Sequence, residues 1–149
     1  MAVHPDVPYV VARPAGDPDG TPLVVAERRG DQRLGEGAEV LARTQGRDWE
    51  RVTYTRPFDL VQFPAGSEAH FVVLAEYVTT EDGTGLVHQS PAFGADDFAV
   101  GRAYGLPVVN PIDPSGHFLP EVPLVGGHFF KAADPTLVED LQQLSLIHI

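Results

Sequence analysis

Fifteen glycines and 14 prolines among 149 residues place a chain breaker at about every fifth position. No regular element can run far under that spacing, so the fold has to be assembled from short strands and a few helices joined by many turns. The breaker content stays below the roughly 25–30% typical of low-complexity sequences, and the length suits one domain that buries about two-thirds of its unfolded surface. Cysteine is absent, which removes disulfides and thiolate zinc sites and points to the cytoplasm. Residues 1–6 have no basic stretch leading into an apolar one, and no run approaches the ~18–20 apolar residues of a membrane helix. Neither a signal peptide nor a membrane span is expected. Acidic residues outnumber basic ones 21 to 10, for a formal charge of −11. Such a surface repels phosphate backbones and disfavours a stand-alone nucleic-acid binder.

Residues 7–13 and 22–27 are rich in valine and flank the breaker cluster of 14–20, a pattern that predicts a hairpin with a long loop. Residues 28–35 permit at most a short helix, and 38–44 are expected as a strand. The continuous apolar run of 70–78 predicts a strand buried on both faces, the central one. Glu81-Asp82-Gly83 supplies a turn, residues 84–89 a further strand, and Pro91 its end. Gly94-Ala95-Asp96-Asp97 leads into a helix over 98–104 closed by Gly105 and Pro107. A brief strand is expected at 106–110. Asp134-Pro135 reads as the cap and first position of a last helix with Leu137, Val138, Leu141 and Leu144 on one face. No repeat is visible. The expected class is α+β, a barrel-like mixed β-sheet with a few flanking short helices.

The most informative segment is 83–98, which runs turn, strand, sharp loop, helix start. That order gathers a strand-end histidine, free backbone amides and two carboxylates, the layout of a binding cleft. An acidic pair at a helix start ordinarily caps it and complements its dipole. One carboxylate suffices for that, which leaves Asp97 free to anchor a cation such as an α-ammonium if Asp96 caps. His88, between Val87 and Gln89, reads from spacing alone as a hydrogen-bonded structural histidine. The six histidines, His4, His70, His88, His117, His128 and His148, show no metal-ligand spacing. Phosphate-loop and dinucleotide fingerprints are missing, and Ser90, Ser115 and Ser145 lack a nucleophile-elbow context. Spacing yields a cleft without a reaction.

Taken together, Gly83-Thr84-Gly85-Leu86-Val87-His88, Pro91-Ala92-Phe93-Gly94 and Asp97 resemble the signature of the inserted editing domain, connective polypeptide 1, of isoleucyl-tRNA synthetase, a class I aminoacyl-tRNA synthetase. Val3-His4-Pro5-Asp6, Leu34-Gly35-Glu36-Gly37, Val72-Val73-Leu74-Ala75, Arg102-Ala103-Tyr104-Gly105-Leu106-Pro107 and Gly127-His128-Phe129-Phe130 follow the family in order, and the similarity runs to about Leu141. Valyl and leucyl relatives place His-Asp where Phe93-Gly94 stands here, which favours the isoleucyl branch.

The resemblance implies hydrolysis of valine wrongly attached to isoleucine tRNA. One methylene in an apolar pocket discriminates by only about 1–3 kcal/mol, a range for which the isoleucine enzyme is itself the standard example, so a second site must reject by size in the opposite sense. By the same resemblance Asp97 and His88 are the catalytic candidates, the first holding the substrate α-ammonium and the second lying beside the ester and terminal ribose. Gly83, Thr84, Gly85, Phe93 and Gly94 are implied to bind substrate. Whether His88 acts as base or orients the ribose hydroxyl and water stays open. The partners implied are the 3′ end of isoleucine tRNA carrying valine and the rest of the synthetase, with no membrane. No cofactor is implied for editing, and ATP belongs to the parent enzyme's synthetic site.

Relative to the family, a threonine-rich stretch preceding Val3 and the class I ATP-binding motifs are missing. The expected organisation is an editing domain over 1–143, truncated at that N-terminal stretch, with 144–149 a non-native tail that resembles a translated sequencing adapter. Such a piece is expected to edit weakly or not at all alone. Two alternatives remain: a valyl-branch editing domain acting on threonyl ester, and a non-catalytic β-barrel module in which Asp96 and Asp97 are structural.

Overall fold

The structure, a computed structural model, describes residues 1–17 and 19–144. It divides into two units, one formed by Met1–Tyr54 with His70–Gly105, the other by Thr55–Ala69 with the chain from Leu106 onward.

In the first unit the valine-rich segments pair as expected. Strand β2 (Pro8–Arg13) lies between β3 (Leu23–Ala26) and β4 (Glu39–Gln45), antiparallel to both, with Tyr9 opposite Ala26 and Thr44. The short helix α1 (Gly30–Leu34) follows β3, and Leu34 packs with Val10, Ala12 and Val25. A second sheet is built from β1 (Ala2–Val3), β5 (Val73–Leu74) and β6 (Leu86–Val87), with β1 in the middle, parallel to β5 and antiparallel to β6. Both sheets are three-stranded. The mixed class with short helices is as expected, while these sheets do not close into a barrel.

The apolar run of 70–78 is buried as its composition predicts, with Phe71, Val72, Val73, Ala75 and Val78 all under 10% exposed. It is not the central strand. Its two halves pair with different neighbours: Val73 and Ala75 donate to Met1 and Val3, whereas Val72 exchanges hydrogen bonds with Arg51 and Val52. Regular ladder geometry survives only at Val73–Leu74. The strand expected at 84–89 likewise shrinks to Leu86–Val87: at its start Thr84 gives its carbonyl to the N–H of Ala26 at 2.8 Å, and just past its end the Ser90 N–H goes to Asp97.

Tyr9 locks this unit together. It is fully buried among Val3, Ala26 and Val72, and its hydroxyl donates to the Gly85 carbonyl at 2.6 Å while accepting the His4 N–H at 3.2 Å. A buried tyrosine needs such partners. Helix α2 (Ala95–Tyr104) starts at Gly94 and stops at Gly105, which takes the left-handed conformation. The last residue of α2, Tyr104, donates to Glu50 and accepts the N–H of Leu74.

The second unit packs Val122, Val125 and Ala133 with Leu60, Phe118, Leu119 and Leu137. The segment 106–110 is not a strand. Irregular bridges join Ile112 to Phe118 and His117 to Phe129 instead, since Pro107 and Pro111 deny the preceding stretch a continuous ladder. Helix α3 (Phe130–Gln143) begins five residues before Pro135, earlier than the proline signal indicates. Burial of Ala133 against the valines favours that extra turn, at the cost of leaving the Lys131 carbonyl without its usual N–H partner. Leu137, Val138 and Leu141 are half-buried and Leu144 exposed. Apart from Leu144, the expected tail lies outside the described residues. Among the described residues no helix is long and apolar enough to cross a membrane.

Candidate functional site

The loop from Glu81 to Gly94 sits between fixed supports in the first unit. Arg29 and Arg33 donate to the carbonyls of Glu81 and Gly83. Gly85 is buried at φ +78°, and a side-chain carbon there would stand 2.5 Å from Cβ of Ala26. Glycine is therefore required at that position on two counts, conformation and space. Thr84 is bound through its carbonyl to β3, and its hydroxyl accepts the N–H of Leu86 at 3.4 Å.

Neither aspartate caps α2 by a side-chain hydrogen bond. Asp96 is exposed. Asp97, in the first turn, points back to the loop instead. Its Oδ1 accepts from the Tyr77 hydroxyl at 2.9 Å and from Gln89 Nε2 at 3.1 Å, and its Oδ2 accepts the Ser90 N–H at 3.2 Å. Gln89 Nε2 also donates to Tyr77 Oη. Burial, the hydrogen bond to Asp97 and its charge push the Tyr77 phenol up to about 12. Tyr77 is therefore a permanent donor near neutral pH. Burial brings the α-amino group of Met1, which donates to Tyr54 Oη at 2.9 Å, down to about 6, while the Asp97 charge pulls it the other way. An amino group thus lies within the field of this carboxylate.

His88 is exposed and makes no hydrogen bond to another described residue, and Phe93 is 60% exposed on the loop. Gly83 is exposed. A side-chain carbon at Gly94 would lie 2.7 Å from Asp97 Oδ2. The structure therefore gathers Gly94 and Asp97 and leaves His88 and Phe93 open to solvent. It adds Tyr77 and Gln89, which sequence reading does not single out. The sequence signal for Gln89 is its place at the end of the expected strand, directly before Ser90, whose N–H Asp97 accepts. Tyr77 is a hydroxyl at the end of the apolar run, next to Glu76.

Among the described residues no cluster of histidine and acidic side chains could hold a metal. In the second unit Ser115 Oγ lies 2.7 Å from Asp113 Oδ1 and 2.8 Å from His117 Nδ1. The order is wrong for a nucleophile, because the serine sits between the other two rather than the histidine. The N–H of His117 and the hydroxyl of Ser115 hold the Asp113 carboxyl below its usual range, as a turn would.

No family model matches the chain. The isoleucine–tRNA ligase of Streptomyces avermitilis is 60% identical over 148 residues, covering 99% of this chain and 14% of the ligase. Those of Thermobifida fusca and Methanothermobacter thermautotrophicus are 55% and 40% identical over 99% of the chain, which covers 13% and 14% of their lengths. The chain thus spans about one-seventh of these relatives. The crystal structure of GlLeuRS-CP1 superimposes with a TM-score of 0.65 at 18% identity, over 99% of this chain and 76% of that one. The two share a fold.

Proposed function

We propose, from the premise that the chain belongs to the isoleucine–tRNA ligase family and has the fold of a CP1 domain, that it hydrolyses valine mis-esterified to isoleucine tRNA, in the cytoplasm and as part of the larger ligase. The observation that carries this reading is Asp97. Its carboxylate is held by Tyr77, Gln89 and Ser90 and not by its own helix. A carboxylate fixed in this way suits the α-ammonium of an aminoacyl ester through a charge-assisted hydrogen bond.

An aminoacyl ester is intrinsically labile, so holding it and a water in register supplies much of the rate without a covalent intermediate. Asp97 fixes the ammonium end. His88, exposed on the same loop, is the residue to which this reading gives the ribose hydroxyl or the attacking water. The backbone of Gly83-Thr84-Gly85 and the loop at Phe93 and Gly94 shape the space around the ester, which must admit valine and exclude isoleucine.

The test uses the S. avermitilis ligase with its matching segment replaced by this chain. Asp97→Ala is expected to slow valyl-tRNA deacylation about ten- to hundredfold, the share of a charge-assisted hydrogen bond. Unchanged hydrolysis would return the chain to a non-catalytic binding module. Faster hydrolysis of threonyl than of valyl ester would assign it to the valyl branch.

A further inference from the structure

Anchoring an ammonium asks more of Asp97 than charge, because a carboxylate that rotates freely has no fixed direction. An ionised carboxylate offers about four lone-pair sites. Three are used here, two on Oδ1 by Tyr77 and Gln89 and one on Oδ2 by the Ser90 N–H. The acceptor direction that remains is on Oδ2. That oxygen faces Gly94, where a side-chain carbon would stand only 2.7 Å away. Glycine keeps the space beside it clear.

Gln89 supplies an independent observation. A carboxylate oxygen only accepts, so the amide nitrogen must be the end turned to Asp97. Its carbonyl oxygen Oε1 is consequently left buried with no hydrogen-bond partner among the described residues. An unbonded buried acceptor works against folding, and leucine or methionine at this position would avoid it. What the amide contributes is its nitrogen, which holds Tyr77 and Asp97 together.

We infer that Tyr77 and Gln89 are positioning residues that saturate Oδ1 and lock the plane of Asp97, so that Oδ2 is the oxygen that receives the ammonium of the ester. The inference rests on the editing function proposed above. Neither residue touches the substrate; both act through Asp97.

The experiment compares Tyr77→Phe, Gln89→Met and Asp97→Ala in the ligase carrying this chain. It reads KM and kcat for valyl-tRNA, the same for N-acetyl-valyl-tRNA, which lacks the cation, and the melting temperature. Positioning predicts that KM for valyl-tRNA rises about tenfold in Tyr77→Phe and in Gln89→Met, with a smaller fall in kcat. With the acetylated substrate both variants should match the unaltered ligase. A lowered melting temperature with unchanged KM would reduce both residues to structural supports and overturn the inference. Should Gln89→Met fail to fold, Tyr77→Phe decides alone. If Asp97→Ala loses activity while the other two keep normal KM, positioning fails and editing stands; if Asp97→Ala also retains activity, the editing function fails with it.

Discussion

Replacing Gly85 by alanine tests how the glycine loop is fixed, and the structure gives the magnitude. At φ +78° an L side chain costs about 1–2 kcal/mol. The new carbon would also lie 2.5 Å from Cβ of Ala26, a fully buried residue whose N–H is bonded to the Thr84 carbonyl. Neither backbone can retreat without breaking that bond, so overpacking adds about 1–3 kcal/mol. The expected loss is about 2–5 kcal/mol, read by urea unfolding of the chain. Ala26→Gly in the same molecule removes the closest atom and recovers the overpacking share, less about 0.5–1 kcal/mol for a glycine in a strand. The conformational share remains. The double variant should therefore be more stable than Gly85→Ala alone, a coupling that only contacting residues show. A Gly85→Ala protein within 0.5 kcal/mol (roughly the additivity error) of the unaltered chain, or an Ala26→Gly change that merely adds to the loss, would refute the reasoning.

Tyr9→Phe strands the buried Gly85 carbonyl and the His4 N–H, and should cost about 1–3 kcal/mol, seen as a melting-temperature drop of about 2–4 °C per kcal/mol. Gly94→Ala displaces Asp97 Oδ2 and breaks its bond to the Ser90 N–H, so it should cost about 1 kcal/mol of stability and depress deacylation by far more than that loss explains; a fall in deacylation no larger than the stability loss would point to general loosening. Tyr77 titrates at about 12 when folded, against an ordinary 10.0. Its share of stability is therefore complete below pH 10 and lost as pH rises toward 12. Tyr77→Phe should flatten the alkaline slope of stability, and Asp97→Asn should bring the ultraviolet titration of this phenol to lower pH.

Local chemistry made part of this molecule legible. Valine runs separated by Pro14–Gly20 pair as β2 and β3, as their breaker-separated pattern indicates, and Gly105 closes α2. Burial of Phe71, Val72 and Val73 followed from composition, but their pairing did not, because it depends on which distant backbones, Met1–Val3 or Arg51–Val52, reach each half. The start of α3 was hidden for a related reason: burial of Ala133 outweighs the stop signal of Pro135. At the candidate site, the pair Asp96-Asp97 announced a carboxylate to spare. Which one turns inward was set by Tyr77 and Gln89, 20 and 8 residues away in sequence.

A crystal structure of the ligase carrying this chain, bound to a non-hydrolysable amide of valine and adenosine, tests the role of Asp97 most directly. The account predicts the valine ammonium at hydrogen-bond distance, about 2.7–3.2 Å, from Asp97 Oδ2, with Oδ1 still held by Tyr77 and Gln89. An amide bound elsewhere, or bound here with its ammonium turned away from that carboxylate, would contradict it.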